Sequence, residues 1–384
     1  MKNVGEINSC FGCGVCTLAC GRKIINLQLN EDGFYRPTIQ EPDKCSECGL
    51  CLDVCSYSNN DISSTPSFVK PFAAWSMDDH VRTSCSSGGV VHEISKHLIV
   101  SGYKVCGVRY NVEKERAEHY LATTIDDLSE SIGSKYLQSY SFPGLKGLNK
   151  NDKFLVIGTP CQIDSLRRYI KRFKCEDNYI LVDFFCHGVP SYLLWKKYIK
   201  ESESKVGKVL SVSWRNKWRN KENEGLNWHD SWDMHLTAEK GTIQSKLSDG
   251  DLFYRFFIGN YCLNDCCYDK CRFKYTSSSA DIRVGDCWGK EYKNNKEGVS
   301  AVLALTEKGS ALMDDLKACS IYEKELSIVA EGQLRTTVIK PFVRMVVLRR
   351  LKGRGSLRSI HNTICKPYIL LNIPKRFIRK FIKR

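Results

Sequence analysis

Eight cysteines fall in two runs of identical spacing within the first 55 residues, and no other feature limits so narrowly what this chain can fold into. Cys10, Cys13, Cys16 and Cys20 are separated by two, two and three residues, and Cys45, Cys48, Cys51 and Cys55 repeat the pattern. Three cysteines closed up in this way let one tight loop place three thiolates around an iron–sulfur cubane, while the fourth, a helical turn further on, reaches a different cluster. The spacing therefore assigns Cys10, Cys13, Cys16 and Cys55 to one 4Fe-4S cluster and Cys45, Cys48, Cys51 and Cys20 to a second. Gly12, Gly14 and Gly49 fit this reading, because loops that wrap a cluster need positive φ and amides close to sulfur. Tetrahedral zinc is the rival, but it asks for two pairs across a longer spacer. The proline that often follows the fourth cysteine is replaced by Gly21 and Ser56, which touches no ligand. Between the runs, GFYRPTI (33–39) reads as a short hairpin.

The chain holds twenty cysteines in 384 residues. MKNVGEINSC at its start lacks the apolar core of a secretory signal, so the expectation is a reducing, cytoplasmic setting in which thiols serve metals rather than disulfides. Apolar residues make up 42% and come in short, interrupted stretches, which fits a globular protein and neither a membrane span nor a disordered chain. The net charge of +15 suggests a nucleic-acid binder until its position is noted. Fifteen of the 58 basic residues and none of the 43 acidic ones follow residue 334, so the remainder is neutral. No basic groove with interleaved aromatics is left to grip nucleic acid.

The pattern predicts an α+β protein: a ferredoxin-type module over 1–60, a Ser- and Pro-rich linker over 61–71, and a mixed α/β catalytic domain. The latter runs in two parts over 72–150 and 151–330, ahead of a basic helical tail over 331–384. Ser86, Ser87, Gly88 and Gly89 precede a helical pattern, and such a loop offers free amides and a positive dipole end to a phosphate or a flavin edge. His92 and His97, five apart, cannot share a helix face as a zinc-protease pair does. KFLVIGTPCQIDSLRRYI reads as strand, turn and helix with Cys161 at the helix start, where a thiolate is favoured. NYILVDFFCHGVPSYLLWKKYI repeats the plan with Cys186, and strand ends of this kind are where α/β sheets bind ligands. A third cysteine patch (Cys262, Cys266, Cys267, Cys271 and Cys287) supplies two more thiols for a third cluster or a zinc ion. Neither a dinucleotide fingerprint nor a P-loop is present.

Taken in order, these motifs resemble the coenzyme F-420 hydrogenase/dehydrogenase beta subunit family. They are the ferredoxin module, RTSCSSGGV (82–90), SKYLQS (134–139), GTPCQ (158–162), CHGVPS (186–191), CYDKCRFK (267–274) and SADIRVGDCWG (279–289). The resemblance implies FAD, a third 4Fe-4S cluster and electron transfer between a two-electron carrier and one-electron centres. It places the flavin on Ser86, Ser87, Gly88, Gly89, Lys135, Tyr136, Gln138 and Ser139, and the inner cluster on Cys161, Cys186, Cys267 and Cys271. The family usually has two residues between the last two cysteines; three stand here, so Cys266 competes with Cys267. Lys135 is a candidate stabiliser of an anionic reduced flavin, and His187 a candidate proton donor.

The expected function is thus an iron–sulfur flavoprotein oxidoreductase linking a ferredoxin-like or other redox protein to a small two-electron substrate, the deazaflavin coenzyme or another organic molecule. The alternatives are an electron-relay subunit without its own substrate, serving surface-polysaccharide biosynthesis, and a zinc-binding interaction module. In the tail, PYILLNIPKRFIRKFIKR alternates apolar pairs (Phe377 and Ile378, Phe381 and Ile382) with basic pairs, the pattern of a helix lying on an anionic membrane. That points to a peripheral location on the inner face of a membrane.

Overall fold

A computed structural model describes residues 1–217 and 228–371. The two cysteine runs flank an antiparallel hairpin of β1 (Ile25–Leu29) and β2 (Tyr35–Ile39), turned at Gly33 with φ +78°. Each run leads into one short helix, Val15–Ala19 or Leu50–Asp53, whose preceding residue, Gly14 or Gly49, is left-handed. A side chain there would be strained, which is why the spacing of the glycines follows that of the cysteines.

The body is built on one eight-stranded mixed sheet. Its strands are β3 (Lys70–Ser76), β4 (Lys104–Asn111), β5 (Arg116–Ala122), β6 (Phe154–Ile157) and β7 (Tyr179–Phe184). After β8 (Val209–Trp214), β9 (Asp233–Ala238) and β10 (Gly241–Lys246) the same sheet is completed by β11 (Ile282–Asp286), β12 (Ser300–Ala304) and β13 (Cys319–Glu323). The order is β13-β3-β12-β11-β7-β6-β4-β5, with β11, β7, β6 and β4 parallel at its centre. Of these, β6 is wholly apolar and β7 and β11 are mostly buried on both sides, as parallel strands covered by helices must be. The carboxyl ends of β6, β7 and β11 open side by side, the crevice where such sheets hold ligands. β7 and β11 are clamped by a fully buried pair: Arg283 Nη2 and Nε donate to the Asp183 carboxylate at 2.6 and 2.7 Å.

Strands β8, β9 and β10 form a separate antiparallel sheet that the sequence reading did not resolve. It packs, with helices Tyr192–Val206 and Leu252–Ile258, around Trp195, Trp214 and Phe253.

The linker and tail both differ from expectation. Within 61–71, Ser63 is pinned to the body through Asp164 Oδ1 (2.7 Å) and Ser279 Oγ (3.0 Å), and the last two residues already belong to β3. The first half of the tail is not a free basic helix. Helix Arg344–Lys352 buries Val347, Leu348 and Leu351 in the same core as Tyr192–Val206, and Leu357, Ile360 and Cys365 follow them in. Arg344 is buried, with Nε donating to Leu263 O at 3.0 Å and Nη1 3.1 Å from Asp265. The apolar pairs at 377–378 and 381–382 lie outside the described residues. Among the described residues, no helix is long and apolar enough to cross a membrane.

Candidate functional site

The fold gathers twelve of the cysteines into three neighbourhoods. Cys16 lies beside Cys13, Cys10, Cys55 and Cys51, and Cys13 beside Cys55, so thiols of both runs come together. Burial, reinforced by these neighbouring thiols, pushes Cys10 up to about 12 and Cys13 to about 11. Four adjacent thiolates in such a place need compensating cationic charge, which is the donor chemistry of an iron–sulfur cluster. The Gly12 amide donates to Cys10 Sγ at 3.2 Å, the backbone contact that a ligating sulfur uses. Cys51 neighbours Cys20 and Cys48, and Cys45 packs in the same small core as Cys20 and Cys51. Cys48 is the most accessible thiol of the module.

The third neighbourhood lies in the body. Cys161, Cys186, Cys267 and Cys271 together line one small enclosed cavity, with Phe11 and Gly12 of the module in its wall. Burial raises the Cys161 thiol despite its place at a helix start, contrary to the thiolate expected there; Thr159 Oγ1 lies 3.2 Å from its sulfur. Cys13 is among the neighbours of Cys161, so the first and third sets adjoin. Of the two competing cysteines, Cys267 faces Cys186 and Cys271. Cys266 turns the other way, its sulfur 3.2 Å from Ser9 Oγ and near Cys10.

Against this cavity lies a much larger one of about 680 Å³, within the usual size for a cofactor site. Cys186, Ser139, Thr159, Gln162, Phe273 and Lys274 belong to both, so a single layer of side chains separates them. Ser86, Ser87, Gly89, Lys135, Tyr136, Ser139 and His187 line the large cavity. Gly89, at φ +84°, starts helix Val90–Val100 with no side-chain cap, which leaves the first amides of that helix facing the cavity. Ser86 Oγ accepts from Ser134 N at 2.9 Å, tying the two flavin-candidate loops together.

Two expected flavin residues are placed elsewhere. Gly88 faces the sheet: its amide donates to Ser300 Oγ at 2.9 Å, and a Cβ there would come within 2.5 Å of Ala74 O. Gln138 points at the cysteine module, accepting from Tyr35 N (2.7 Å) and donating to Phe11 O (3.0 Å). Tyr136 and Ser139 of the same stretch line the large cavity, while Gln138 between them is turned to the module.

Lys135 Nζ donates to the carbonyls of Glu130, Ile132 and Gly133 at 3.1, 2.9 and 3.1 Å, and burial lowers it to about 7. His187 Nε2 lies 2.6 Å from Asn260 Oδ1, and burial lowers its affinity for a proton.

The far wall was not foreseen. Arg215 Nη1 pairs with Asp286 at 2.8 Å, and its guanidinium lies 4.6 Å from the Trp232 ring and 5.0 Å from the Trp288 ring. Burial opposes its charge, but Asp286 and Tyr136 together outweigh burial and hold it protonated. Asp286 and Trp288 sit in the SADIRVGDCWG stretch, which was the available signal; nothing near Arg215 or Trp232 distinguishes them in sequence.

Comparison with known proteins follows the same division. Two family models described as "Coenzyme F420 hydrogenase/dehydrogenase, beta subunit" match the body, the model of its N-terminal part over residues 71–146 and that of its C-terminal part over 151–327. A "4Fe-4S dicluster domain" model matches 9–59. An uncharacterized protein of Methanocaldococcus jannaschii is 26% identical, the alignment covering 80% of this chain and 86% of that one. The coenzyme F420 hydrogenase subunit beta of Methanococcus voltae is 24% identical over 65% of this chain and 87% of its own length. The coenzyme F420-dependent sulfite reductase of M. jannaschii is 23% identical over 91% of this chain, which spans only 52% of that protein.

Proposed function

The chain belongs to the coenzyme F420 hydrogenase/dehydrogenase beta subunit family and is an iron–sulfur electron-transfer protein, and from that premise we propose that it is a flavin-dependent oxidoreductase. It would pass electrons between a ferredoxin-like or other redox protein and a two-electron organic substrate, the deazaflavin coenzyme or a related acceptor. The observation that carries this reading is the shared wall between the cavity lined by four thiols and the large cavity beyond it.

The residues fit the groups they would hold. Cys10, Cys13, Cys16 and Cys55, then Cys45, Cys48, Cys51 and Cys20, and then Cys161, Cys186, Cys267 and Cys271 each offer four thiols to a 4Fe-4S cluster. Ser86, Ser87, Gly89, Lys135, Tyr136 and Ser139 would hold FAD, with the helix start at Gly89 toward its phosphates. A bound flavin supplies the exchange between a pair of electrons and single electrons. Lys135 fixes the loop that lines the cavity, and its protonated form would favour an anionic ring. His187, oriented by Nε2 donating to Asn260 Oδ1, would be the ring that handles a proton beside the cavity. Phe273, which lines both cavities, would help keep water from the thiol side.

The test is electron transfer in an oxygen-free preparation. Protein reduced through a ferredoxin should bleach added deazaflavin coenzyme, and Cys271→Ser should abolish this. A reduced protein unable to pass electrons to any organic acceptor favours the second reading, an electron-relay subunit, for which the relative named as a hydrogenase subunit is the support. Surface-polysaccharide biosynthesis is one setting for such a relay. The location that suits either reading is the cytoplasm, peripheral on the inner face of the membrane.

A further inference from the structure

Helix Arg344–Lys352 buries one side against the body and turns Met345 (59% exposed) and Val346 (48%) outward. Phe342, just before it, is 72% exposed, and its ring stands edge-on to Tyr368 at 5.0 Å. Residues 366–371 are helical and present Leu370 and Leu371, 59% and 68% exposed, immediately after Tyr368. Two separate pieces of chain therefore bring large apolar side chains to one outward surface. Scattered exposed apolar residues are ordinary, but a joined patch of this kind marks an interaction site.

The setting says what covers it. Arg349, Arg350, Arg354, Arg358 and Lys366 are exposed on the same segment, and none of them pairs with an acid among the described residues. From Arg335 onward the chain has fifteen basic residues and no acidic one. A second copy would meet this face with the same charge. The chain beyond Leu371 carries the same sign again in KRFIRKFIKR. Nucleic acid would satisfy the arginines and leave Phe342, Met345 and the leucines wet. An anionic bilayer takes both, with apolar side chains at the acyl boundary and basic ones among the headgroups.

We propose that the folded face of Phe342, Met345, Val346, Leu370 and Leu371, rimmed by these arginines, docks on an anionic lipid bilayer. This rests on the peripheral location proposed for the chain and gives it a defined partner and surface. The face belongs to the docked part of the C-terminal segment, so it would act with the last residues and not merely carry them.

The experiment is co-sedimentation of the full, cluster-loaded chain with vesicles of phosphatidylcholine alone or with about a quarter phosphatidylglycerol. Binding to the anionic vesicles is expected, weakening in 0.5–1 M salt, as charge contacts do at about 3 Å screening length. The double variant Phe342→Ser, Met345→Ser changes only exposed positions and should lower binding at least tenfold. A chain ending at Leu371 should retain measurable binding. Equal binding to neutral vesicles overturns the proposal. So does a double variant that binds like the parent while the truncated chain does not bind, since the last residues then act alone. Self-association that the double variant abolishes, with no vesicle binding, assigns the face to a second copy instead. Iron and flavin content measured on the same samples separate the two readings. Full cofactor content with no vesicle binding removes only the docking face, whereas empty protein removes the redox reading.

Discussion

The hydroxyl of Ser165 lies 3.4 Å from the sulfur of Cys13 and accepts the Ser56 amide at 3.0 Å. One side chain on the helix that begins beside Cys161 thus touches a cysteine of the first run and the residue after the last cysteine of the second. It couples the module's first group of thiols to the body through four residues of helix, because Cys161 and Ser165 are a turn apart.

Ser165→Ala leaves the buried Ser56 amide without its partner, for an expected loss of about 1–3 kcal/mol in denaturant unfolding. It also removes a hydrogen bond to the sulfur of Cys13, a proposed cluster ligand. Such bonds stabilise the more negative, reduced state, so the potential of one cluster should move to more negative values in a redox titration. An unchanged potential would place Cys13 outside the ligand set.

Gly12 stands at φ +69°, and a Cβ there would meet Tyr35 O at 2.4 Å, a backbone atom that cannot swing aside. Gly12→Ala should therefore distort the loop carrying Cys10 and Cys13. The expected readout is loss of roughly four of twelve irons per chain, one cubane's worth, measured by metal analysis after anaerobic reconstitution.

Cys266→Ser and Cys271→Ser separate the adjacent candidates. The first should keep the iron content of the parent, because its sulfur turns to Ser9. The second should lose roughly four irons, one cubane, and leave the ferredoxin-module signals in the paramagnetic spectrum. The reverse pattern would reassign the third site.

His119 sits on β5, fully buried, with Nε2 3.2 Å from Ile157 O, and burial lowers it to about 4 from 6.5. The folded chain therefore takes up this proton later than the unfolded chain. Stability is whole above pH 6.5 and declines as pH falls from 6.5 toward 4, by about 2 kcal/mol at pH 5. His119→Leu removes the titration, so the gap between its urea midpoints at pH 7.5 and pH 5 should be smaller than the parent's. An equal gap would assign the acid sensitivity to other groups.

What could be read before the fold was known follows a physical line. The thiols that come together in the first module were legible as a group because a tight loop needs its cysteines and glycines at fixed short spacing. Cys161 and Cys186 were legible as paired strand ends, but the choice between Cys266 and Cys267 was not. Neighbouring residues point in different directions, and only the fold places the Cys266 sulfur against Ser9 and Cys267 toward Cys186 and Cys271. Gln138 was misplaced for the same reason, because one short motif serves two sites on opposite faces. Arg215 and Trp232 join Asp286 and Trp288 only through tertiary contact. In the tail, the count of charges hid Val347, Leu348 and Leu351, whose spacing of three and four is that of a buried helix face.

The account turns on a flavin site next to a thiol-lined cluster site, and one set of measurements on a single oxygen-free preparation tests it most directly. Iron, sulfide and flavin are determined per chain, and the spectrum is followed during stepwise reduction. The account predicts roughly twelve irons in three cubanes and one FAD, with Cys271→Ser keeping the flavin but losing its reduction through the clusters. A colourless protein holding only zinc, or an iron-loaded protein that never binds flavin, would contradict it.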